Sequence, residues 1–403
     1  MKIIQINSTC GVGSTGKICL SISKLLNEQS IENYIFYTLA SSTYPQGRKY
    51  SSELYIKIQA LKSRVFGNYG FNSTLATKKL ISNLNEIKPD VVHIHNIHSH
   101  DLNLSLLFNY LKELHIRVIW TFHDCWAFTG YCTHFTMEKC DRWKTCCHNC
   151  PQRRQFSWFF DRSQQNFEMK KALFTGLDLT IVSPSQWLAN LIKESFLKDY
   201  PVVVINNGID LNIFKPTESN FREGYGLKGK YIVLGIAFGW GRGKGLDVFI
   251  DLAQRLNDRF QIVLVGTDGK IDRQLPNNII SIHRTQDQYE LAKIYTAADV
   301  LANPTREENY PTVNMEAIAC GTPVVTFRTG GSPETIKHCC GSIVDYNDNV
   351  RLYEEIIRLC GSGKPDIGEI LEEAKYFDKE ICFNKYIYLY LHDTIKECHF
   401  DAD

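Results

Sequence analysis

"MKIIQINSTCGVGSTGKICL", residues 1–20, sets the architecture of the chain. An apolar run over residues 2–7 predicts a buried strand, and a glycine-rich turn then leads into a helical pattern over residues 16–29. The same succession of strand, turn and helix recurs along the sequence. Strands that are apolar throughout are typical of a parallel sheet with helices on both faces.

The alternation occurs in two series, separated by a polar, turn-rich segment at 206–230 that predicts a linker. We expect a first domain over 1–206, a second over 207–380 and a C-terminal helix at 381–403 that packs back on the first domain. The predicted fold class is α/β: two tandem Rossmann-like, doubly wound domains with an interdomain cleft at the carboxyl ends of both sheets.

Composition narrows the functional class. The chain has 403 residues, of which 44% are hydrophobic and 22% charged, as in globular proteins. A net charge of +1 gives no global attraction to nucleic acid, so we expect no nucleic-acid partner. Neither a secretory signal nor an apolar run of about 18 residues is apparent, and the cytoplasm is the expected compartment.

The first turn matches two nucleotide-binding motifs incompletely. Gly11, Gly13 and Gly16 spell G-x-G-x-x-G, but a dinucleotide site needs an acidic residue after the second strand, where residues 38–40 are Thr-Leu-Ala. A P-loop needs Ser or Thr after Gly-Lys, where the chain has Ile18. What remains is a flexible backbone ahead of a helix N-terminus, which suits an anion or hydroxyl group, or a tight turn without a ligand.

A second constellation lies in "NPTREENYPTVNMEAIACGTPVVTFRTGGSPE", residues 303–334. Pro311 predicts the first position of a helix, with Glu316 inside that helix and Glu308 in the preceding loop. Free backbone N–H groups at such a start suit a diphosphate, and a carboxylate can accept two hydrogen bonds from vicinal hydroxyls. In isolation, two such glutamates would instead be solvated surface charges.

The glutamates are accompanied by "AFGWGRGKGLDVFIDLAQRL", residues 237–256, which follows the first strand of the second domain. Arg242 and Lys244 stand among glycines just before an amphipathic helix. Cations beside a flexible backbone at a helix start suit a diphosphate.

These blocks resemble the donor-binding domain of retaining GT-B glycosyltransferases of family 4, and the resemblance extends from the first glycine loop to about residue 345. The matching pieces are "KGLDVFI", "LVG" at 264–266, "AADVLANPT" at 297–305, the Glu-x7-Glu element and "EAIACGTPVV". Within the family, "HIHNIH", "TFHDCWAFTGYC" and the cysteine run resemble a subgroup that builds bacterial exopolysaccharide, capsule or O-antigen.

By resemblance, Glu316 binds the ribose hydroxyls of a nucleotide, Glu308 contacts the donor sugar, and Lys244 with Arg242 neutralises the leaving diphosphate. Arg284, in the segment 283–287, lies near the base. The remaining donor contacts come from the backbone, at Asn309, Tyr310, Pro311 and Thr312 and, across the cleft, at Gly13 and Ser14.

The resemblance also places His123, at the end of a strand, near the donor sugar with a catalytic role. A lone histidine after a strand can equally be structural. Acceptor contacts are expected from His95, Asn96, His98 and Asp124. For the first three residues, a capping or hydrogen-bonding role is the alternative.

The implied reaction is transfer with retention of anomeric configuration, without a covalent nucleophile or catalytic metal. The donor is a UDP-sugar or, as the main rival, a GDP-sugar. The acceptor is a saccharide or lipid-linked saccharide of surface polysaccharide synthesis. Two other classes are alternatives: a nucleotide-sugar epimerase or NAD enzyme, which the missing acid disfavours, and an inactive sugar-nucleotide-binding or scaffold protein.

A cysteine-rich insertion at 123–160 interrupts the first series. Four of its cysteines have spacings suited to tetrahedral zinc: Cys132, Cys140, Cys147 and Cys150. Cys146 and His134 are alternative ligands. A structural zinc would stabilise a loop that otherwise lacks a core, while disulfides and free thiols remain alternatives.

Residues 48–79 carry seven basic side chains and the single acid Glu53. The stretch "ELYIKIQALKSRVFGNYG" can form an amphipathic helix on anionic lipid, which predicts peripheral contact with the inner face of the cell membrane. A solvated helical face is the alternative.

Overall fold

A computed structural model describes residues 1–361 and 365–392. They form two compact units, one of Met1–Asn206 with the chain from Phe383 onward, the other of Asn207–Cys382. The part of the predicted C-terminal helix at 393–403 lies outside the described residues.

The described part of the first unit is built on a seven-stranded parallel sheet with strand order β3-β2-β1-β4-β5-β6-β7. Its strands are β1 (Lys2–Ile6), β2 (Glu32–Tyr37), β3 (Gly47–Lys49), β4 (Val91–Ile94), β5 (Arg117–Thr121), β6 (Leu179–Ser183) and β7 (Val202–Val204). Its helices are α1 (Gly13–Glu28), α2 (Glu53–Phe66), α3 (Thr74–Ile87), α4 (Leu104–Glu113), α5 (Arg153–Phe156), α6 (Ser163–Phe174) and α7 (Gln186–Glu194). The strand order reverses between β1 and β4, which opens a crevice at their carboxyl ends.

The second unit repeats this plan with a six-stranded parallel sheet of order β10-β9-β8-β11-β12-β13 among the described residues. Its strands are β8 (Tyr231–Ile236), β9 (Phe260–Val265), β10 (Ile279–Ile282), β11 (Val300–Asn303), β12 (Val324–Phe327) and β13 (Gly341–Val344). The helices are α8 (Phe221–Gly224), α9 (Leu246–Arg255), α10 (Gly269–Asp272), α11 (Gln288–Ala297), α12 (Thr312–Ala319), α13 (Asn349–Cys360), α14 (Ile367–Ala374) and α15 (Lys379–Leu391), the last of which begins in this unit and belongs to the first unit from Phe383. Its reversal lies between β8 and β11.

The apolar strands are explained by burial on both faces. In β8, Ile232 and Leu234 pack in one core cluster, while Val233 packs in another on the opposite face. Side chains of successive residues in a strand point to opposite faces, so a strand covered on both sides needs an unbroken apolar run. The predicted fold class, two Rossmann-like doubly wound α/β domains, is confirmed.

Local details differ from the sequence prediction. The short strand β3 (Gly-Arg-Lys) was not predicted, because it has neither length nor apolar residues. Helix α12 begins at Thr312, one residue later than predicted, and Pro311 is its N-cap in an extended conformation. Near the C-terminus, the Arg117 guanidinium donates hydrogen bonds to the carbonyls of Leu389 and Tyr390, which ties the end of α15 to β5.

Candidate functional site

The carboxyl ends of β1, β4 and β5 gather polar side chains at the reversal of the first sheet. His95 follows β4 and His123 follows β5, and Nδ1 of His95 lies 3.2 Å from Nε2 of His123. The backbone N–H of Asn96 donates to Oδ1 of Asn7, just beyond β1, at 3.1 Å. Three predicted residues, His95, Asn96 and His123, therefore share one edge of the sheet.

Gln5 on β1 determines the protonation of this histidine pair. Its Nε2 donates to the carbonyl of Cys19 at 3.0 Å, which turns Oε1 toward Nε2 of His95 at 3.1 Å. Because an amide oxygen only accepts, Nε2 of His95 carries the proton. Burial lowers the pKa of His95 well below its usual range. Neutral His95 then accepts at Nδ1 from Nε2–H of His123, and burial lowers the pKa of His123 to about 4.

His98 and Asp124 form a second pair at the same edge. Nε2 of His98 lies 2.7 Å from Oδ2 of Asp124, and Oδ1 of Asp124 accepts from the N–H of Trp126 at 2.8 Å. Burial alone would raise the pKa of Asp124, but the positive potential and hydrogen bond of His98 lower it to about 2. Both pairs line a pocket of about 240 Å³ that includes open solvent at its mouth. Imidazole and carboxylate groups facing such a pocket are suited to binding hydroxyl groups.

The first glycine loop lies beside these pairs. Helix α1 begins at Gly13; Val12 caps it without a side-chain hydrogen bond, and its first turn contains no acidic residue. Gly13 adopts φ +70°, a left-handed conformation that glycine takes without steric cost, and Ser14 is exposed. Asn7 donates to the carbonyl of Thr9 at 2.8 Å and so joins the loop to the Asn96 end of β4.

In the second unit, the glycine loop after β8 packs on the loop after β11. The N–H of Arg306 donates to the carbonyl of Gly243 at 2.8 Å. A Cβ at Gly245 would lie 2.6 Å from Pro304, so the close approach requires glycine. The packing brings Nζ of Lys244 to 2.8 Å from Oε2 of Glu308. The predicted lysine and glutamate, 64 residues apart, thus form an ion pair at the reversal of the second sheet.

The buried side chain of Arg306 holds the two loops together. Its side chain is 6% exposed, and NH1 and NH2 donate to the two carboxylate oxygens of Asp247 at 2.6 and 2.9 Å. NH1 also donates to the carbonyl of Arg242 at 2.6 Å. Against the effect of partial burial, Arg306 lowers the pKa of Asp247. The guanidinium of Arg306 is therefore structural, whereas the side chain of Arg242 is exposed on the turn.

Glu316 lies in α12, the helix that follows β11 and Glu308 in the chain. Its Oε2 accepts from the hydroxyl of Tyr295 at 2.8 Å. Tyr295 is fully buried, and burial raises its pKa well above the usual value, so it remains a donor. The helix is held to β11 by a hydrogen bond of 2.8 Å between the buried amides of Asn303 and Asn314.

The backbone before α12 suits a negatively charged ligand. Pro311 makes no side-chain cap, and the first turn of α12 has no acidic residue, so the N–H groups at Thr312 retain the positive end of the helix dipole. Asn309 and Tyr310 are buried in the loop that leads to this helix. Arg284 is exposed between β10 and α11 and makes no hydrogen bond or ion pair with other described residues.

The four predicted zinc ligands line one pocket of about 310 Å³ in the insertion. Sγ of Cys132 lies 3.8 Å from Sγ of Cys150, and neither forms a disulfide. Cys140 and Cys147 line the same pocket. Within residues 1–361 and 365–392, however, no group of three or more His, Cys, Asp or Glu side chains has an arrangement that could hold a metal ion.

A buried lysine lies beside the cysteine pocket. Lys170 on α6 is 0% exposed, and its Nζ donates to the carbonyls of Trp126 and Thr129 at 2.7 and 3.0 Å. The ammonium also lies 3.5 Å from the centre of the Trp126 ring. Burial lowers its pKa well below the usual value, while Cys147 and Asp124 act in the opposite direction. This lysine ties α6 to the start of the insertion, just after Asp124.

Four residues of these sites were missed from sequence. Gln5 carried a signal, since it is a polar residue between the buried isoleucines of β1. Arg306 lies two residues from Glu308 but was not singled out. Tyr295 and Lys170 stand in ordinary helical patterns, and nothing in their spacing indicates their partners.

Comparisons with known proteins agree with the two-unit fold. Residues 16–213 match the family described as Glycosyltransferase Family 4, and residues 230–362 match the family described as Glycosyl transferases group 1. A protein of Escherichia coli (strain K12), WcaC, which is named as a glycosyl transferase of colanic acid biosynthesis, is 25% identical over 402 residues, 92% of each chain.

Solved structures share the fold over almost the entire chain. Sucrose-phosphate synthase from Thermosynechococcus elongatus superimposes with a TM-score of 0.71 at 17% identity, covering 97% of this chain and 98% of the synthase. Anabaena HepE in complex with UDP-glucose gives 0.69 at 16% identity, over 97% and 99% of the two chains. Both parallel-sheet units thus carry a glycosyltransferase family signature, and the chain has the two-domain GT-B fold of glycosyltransferases.

Proposed function

We propose that the protein is a retaining glycosyltransferase of surface polysaccharide synthesis. It transfers a sugar from a UDP-sugar, or alternatively a GDP-sugar, to a saccharide or lipid-linked saccharide. The observation that carries the proposal is the Lys244–Glu308 ion pair, with Glu316 on the adjoining helix, at the reversal of the second sheet. The relationship to WcaC and the presence of UDP-glucose in HepE support the same class of reaction.

In this proposal the second unit binds the donor. Glu316, oriented by Tyr295, accepts from the ribose hydroxyls, and Glu308 accepts from hydroxyls of the sugar. The backbone from Asn309 to Thr312 contacts the sugar and phosphates, with the N–H groups of Asn309, Tyr310 and Thr312 as donors, and Arg284 lies near the base. The close packing of Gly245 on Pro304 supports these roles, because it brings Lys244 next to the loop that carries Glu308.

Bond cleavage places negative charge on the departing diphosphate, and stabilising that charge is the main demand on the protein. Lys244 and Arg242 supply fixed positive charge, together with the N-terminal end of α12. Lys244 is 36% exposed and already paired with Glu308, so an incoming diphosphate competes for an ammonium that the carboxylate has oriented. Retention and independence from a catalytic metal are part of the proposal.

The first unit supplies the remaining groups. The carboxylate of Asp124 accepts hydrogen bonds from acceptor hydroxyls, with His98, Asn96 and His95 beside it. His123 is neutral near pH 7, since its pKa is about 4, and it stabilises positive character at the anomeric carbon without adding charge of its own. Gly13 and Ser14 offer backbone N–H groups to the donor phosphate or the acceptor sugar.

We also propose a structural zinc ion held by Cys132, Cys140, Cys147 and Cys150. Zinc–sulfur bonds of about 2.3 Å in a tetrahedron place sulfur atoms about 3.8 Å apart, which is the distance from Cys132 to Cys150. A zinc tetrathiolate is negatively charged and would compensate the buried ammonium of Lys170. Binding requires Cys140 and Cys147 to turn toward this pair.

The donor proposal is tested by thermal stabilisation with UDP and GDP. We expect a rise in melting temperature with one of them, lost in Glu316→Ala and kept in the control Glu113→Ala, an exposed glutamate of the first unit. Nucleotide release from a panel of UDP- and GDP-sugars then identifies the donor, and the anomeric proton coupling of the product tests retention. Stabilisation without any turnover would favour the inactive binding protein instead, and no stabilisation by either nucleotide would exclude both.

Zinc is tested by metal analysis of protein purified with reductant. We expect about one zinc per chain, lost in Cys150→Ser and retained in Cys339→Ser, a half-buried cysteine outside the insertion. Zinc below half-molar stoichiometry in the unaltered protein would contradict the assignment.

A further inference from the structure

Helix α2 buries Ile56 but exposes an apolar stripe to solvent. Leu54, Ile58 and Leu61, spaced to share one helical face, are 70, 45 and 53% exposed. The buried side of α2 includes the polar residues Gln59 and Ser63. A helix that packs on a core normally does the opposite, with its apolar stripe inward and its polar residues outward. The outer face of α2 is therefore suited to an apolar environment outside the protein.

A loop of the cysteine-rich insertion adds exposed aromatic residues at the C-terminal end of this helix. Trp158, Phe159 and Phe160 are consecutive and 48, 63 and 51% exposed, and Phe66 at the end of α2 is 50% exposed. The N–H of Trp158 donates to the carbonyl of Arg64 at 2.7 Å, so the loop adjoins the last turn of the helix. We name the combined region the α2–aromatic surface; its members are Leu54, Ile58, Leu61, Phe66, Trp158, Phe159 and Phe160.

The surface is held in place by hydrogen bonds. Arg64 donates to the carbonyl of Gln155 at 3.3 Å, and Arg153 donates to the carbonyl of Phe159 at 2.9 Å. The hydroxyl of Tyr131, in the insertion, donates to the carbonyl of Gly67 at 2.9 Å. Because these bonds fix the loop against α2, the aromatic side chains are presented together and little ordering is needed for binding.

Basic residues surround the apolar members. Residues 53–66 and 151–162 contain six cations and two acids. One of the acids, Glu53, is paired with Lys49 at 3.3 Å. An apolar face with aromatic residues and a basic rim is the composition that binds the interface of anionic bilayers. A protein partner of the same surface would need acidic residues around its own apolar patch. An anionic bilayer offers negatively charged headgroups and apolar acyl chains all along its surface.

We propose that the α2–aromatic surface docks the protein on bilayers that contain anionic lipid. This rests on the proposed function, in that a lipid-linked acceptor would lie in such a bilayer, and it identifies where the chain meets it. No helix among the described residues is long and apolar enough to cross a membrane. Docking is therefore peripheral, through side chains inserted at the level of the lipid headgroups, and the predicted contact at 48–79 narrows to α2 and extends to residues 158–160.

The test is co-sedimentation of the full chain with vesicles of neutral lipid and with vesicles containing about 30% anionic lipid. We expect binding to the anionic vesicles at low salt and release at about 0.5 M salt. Leu54→Ser/Ile58→Ser/Leu61→Ser and Trp158→Ser/Phe159→Ser/Phe160→Ser should each weaken partitioning by at least about tenfold. The matched control Val350→Ser/Ile367→Ser/Tyr376→Ser, with side chains 55, 47 and 62% exposed in the second unit, should bind normally.

Each other outcome overturns the proposal. The proposal fails if the unaltered protein does not bind anionic vesicles, or if both surface variants bind as well as the unaltered protein. It also fails if the control variant loses as much binding as the surface variants, or if the protein self-associates through this surface and does not bind lipid. Circular dichroism establishes that the variants are folded, and stabilisation by UDP or GDP is measured on the same preparations. Vesicle binding without nucleotide stabilisation would refute the proposed function alone, and nucleotide stabilisation without vesicle binding would refute the docking surface alone.

Discussion

Tyr295→Phe isolates the contribution of one hydrogen bond to the position of Glu316. The hydroxyl of Tyr295 donates to Oε2 of Glu316 at 2.8 Å, and the side chain of Tyr295 is fully buried. Phenylalanine keeps the ring and its edge contact with Phe214, whose centre lies 6.1 Å away. The substitution therefore removes a donor without opening a large cavity, and Glu316 loses the group that orients it.

The expected size follows from the charge on the acceptor. Hydrogen bonds to charged groups contribute about 1.5–3 kcal/mol, and the lower end applies because half-buried Glu316 can recover a bond to water. A loss of about 1.5 kcal/mol lowers the melting temperature of a domain of this size by about 3–6 °C. If Glu316 holds the ribose, the nucleotide dissociation constant rises about tenfold, because its carboxylate must be reordered on binding.

Calorimetric titration with the stabilising nucleotide measures its dissociation constant, and differential scanning calorimetry measures the melting temperature. The control is Tyr200→Phe, which removes a hydroxyl that donates to the carbonyl of Phe174 at 2.8 Å in the first unit. It should lower the melting temperature and leave nucleotide affinity unchanged. A Tyr295→Phe protein that is destabilised but binds nucleotide within twofold of the original would refute the role given to Glu316.

Three further predictions concern stability. Gly330→Ala places a Cβ 1.8 Å from the carbonyl oxygen of Glu308 at φ +57°, so we expect a loss of several degrees in melting temperature and of donor binding, while Gly269→Ala, with no atom near its Cβ, changes neither. The pKa of Asp124 is about 2 instead of 3.8, so its contribution of about 2 kcal/mol to the free energy of unfolding is complete above about pH 4 and disappears as pH falls toward 2. In urea unfolding, Asp124→Asn should lack this dependence of stability on pH, and an unchanged dependence would contradict the assignment. Lys170→Met leaves two buried carbonyls without their donor and should cost about 2–3 kcal/mol in urea unfolding, whereas a change below about 0.5 kcal/mol would show that water replaces the ammonium.

The sequence was sufficient to predict an element when all residues of that element have similar surroundings. The apolar runs of β8 and β11 predict buried parallel strands, because each residue in turn meets a covered face. Glycines and cations after β8, and glutamates after β11, could be assigned to one ligand since the carboxyl ends of adjacent parallel strands share an edge. The structure adds the Lys244–Glu308 distance, and the ligand roles of both residues stay proposals.

Other features depend on contacts that no local pattern contains. The donor to Glu316 comes from Tyr295, 21 residues earlier, and the orientation of His95 depends on Gln5, 90 residues away. Helix α2 shows a different limit. Its periodicity predicts an amphipathic helix, but only the fold decides that Gln59 faces inward and Leu61 outward.

The hydrogen bond between His93 and Tyr390 has a consequence for synthesis on the ribosome. Nδ1 of buried His93 lies 2.6 Å from the hydroxyl of Tyr390, which is 297 residues later in the chain. At 5–20 residues per second, translation reaches Tyr390 about 15–60 s after His93. The first unit therefore spends that interval, while the whole second unit is made, with His93 lacking its last partner. Chains that stop short of Tyr390 should display this unfinished core to chaperones and proteases, so completion of the first unit reports that the whole second unit has been translated.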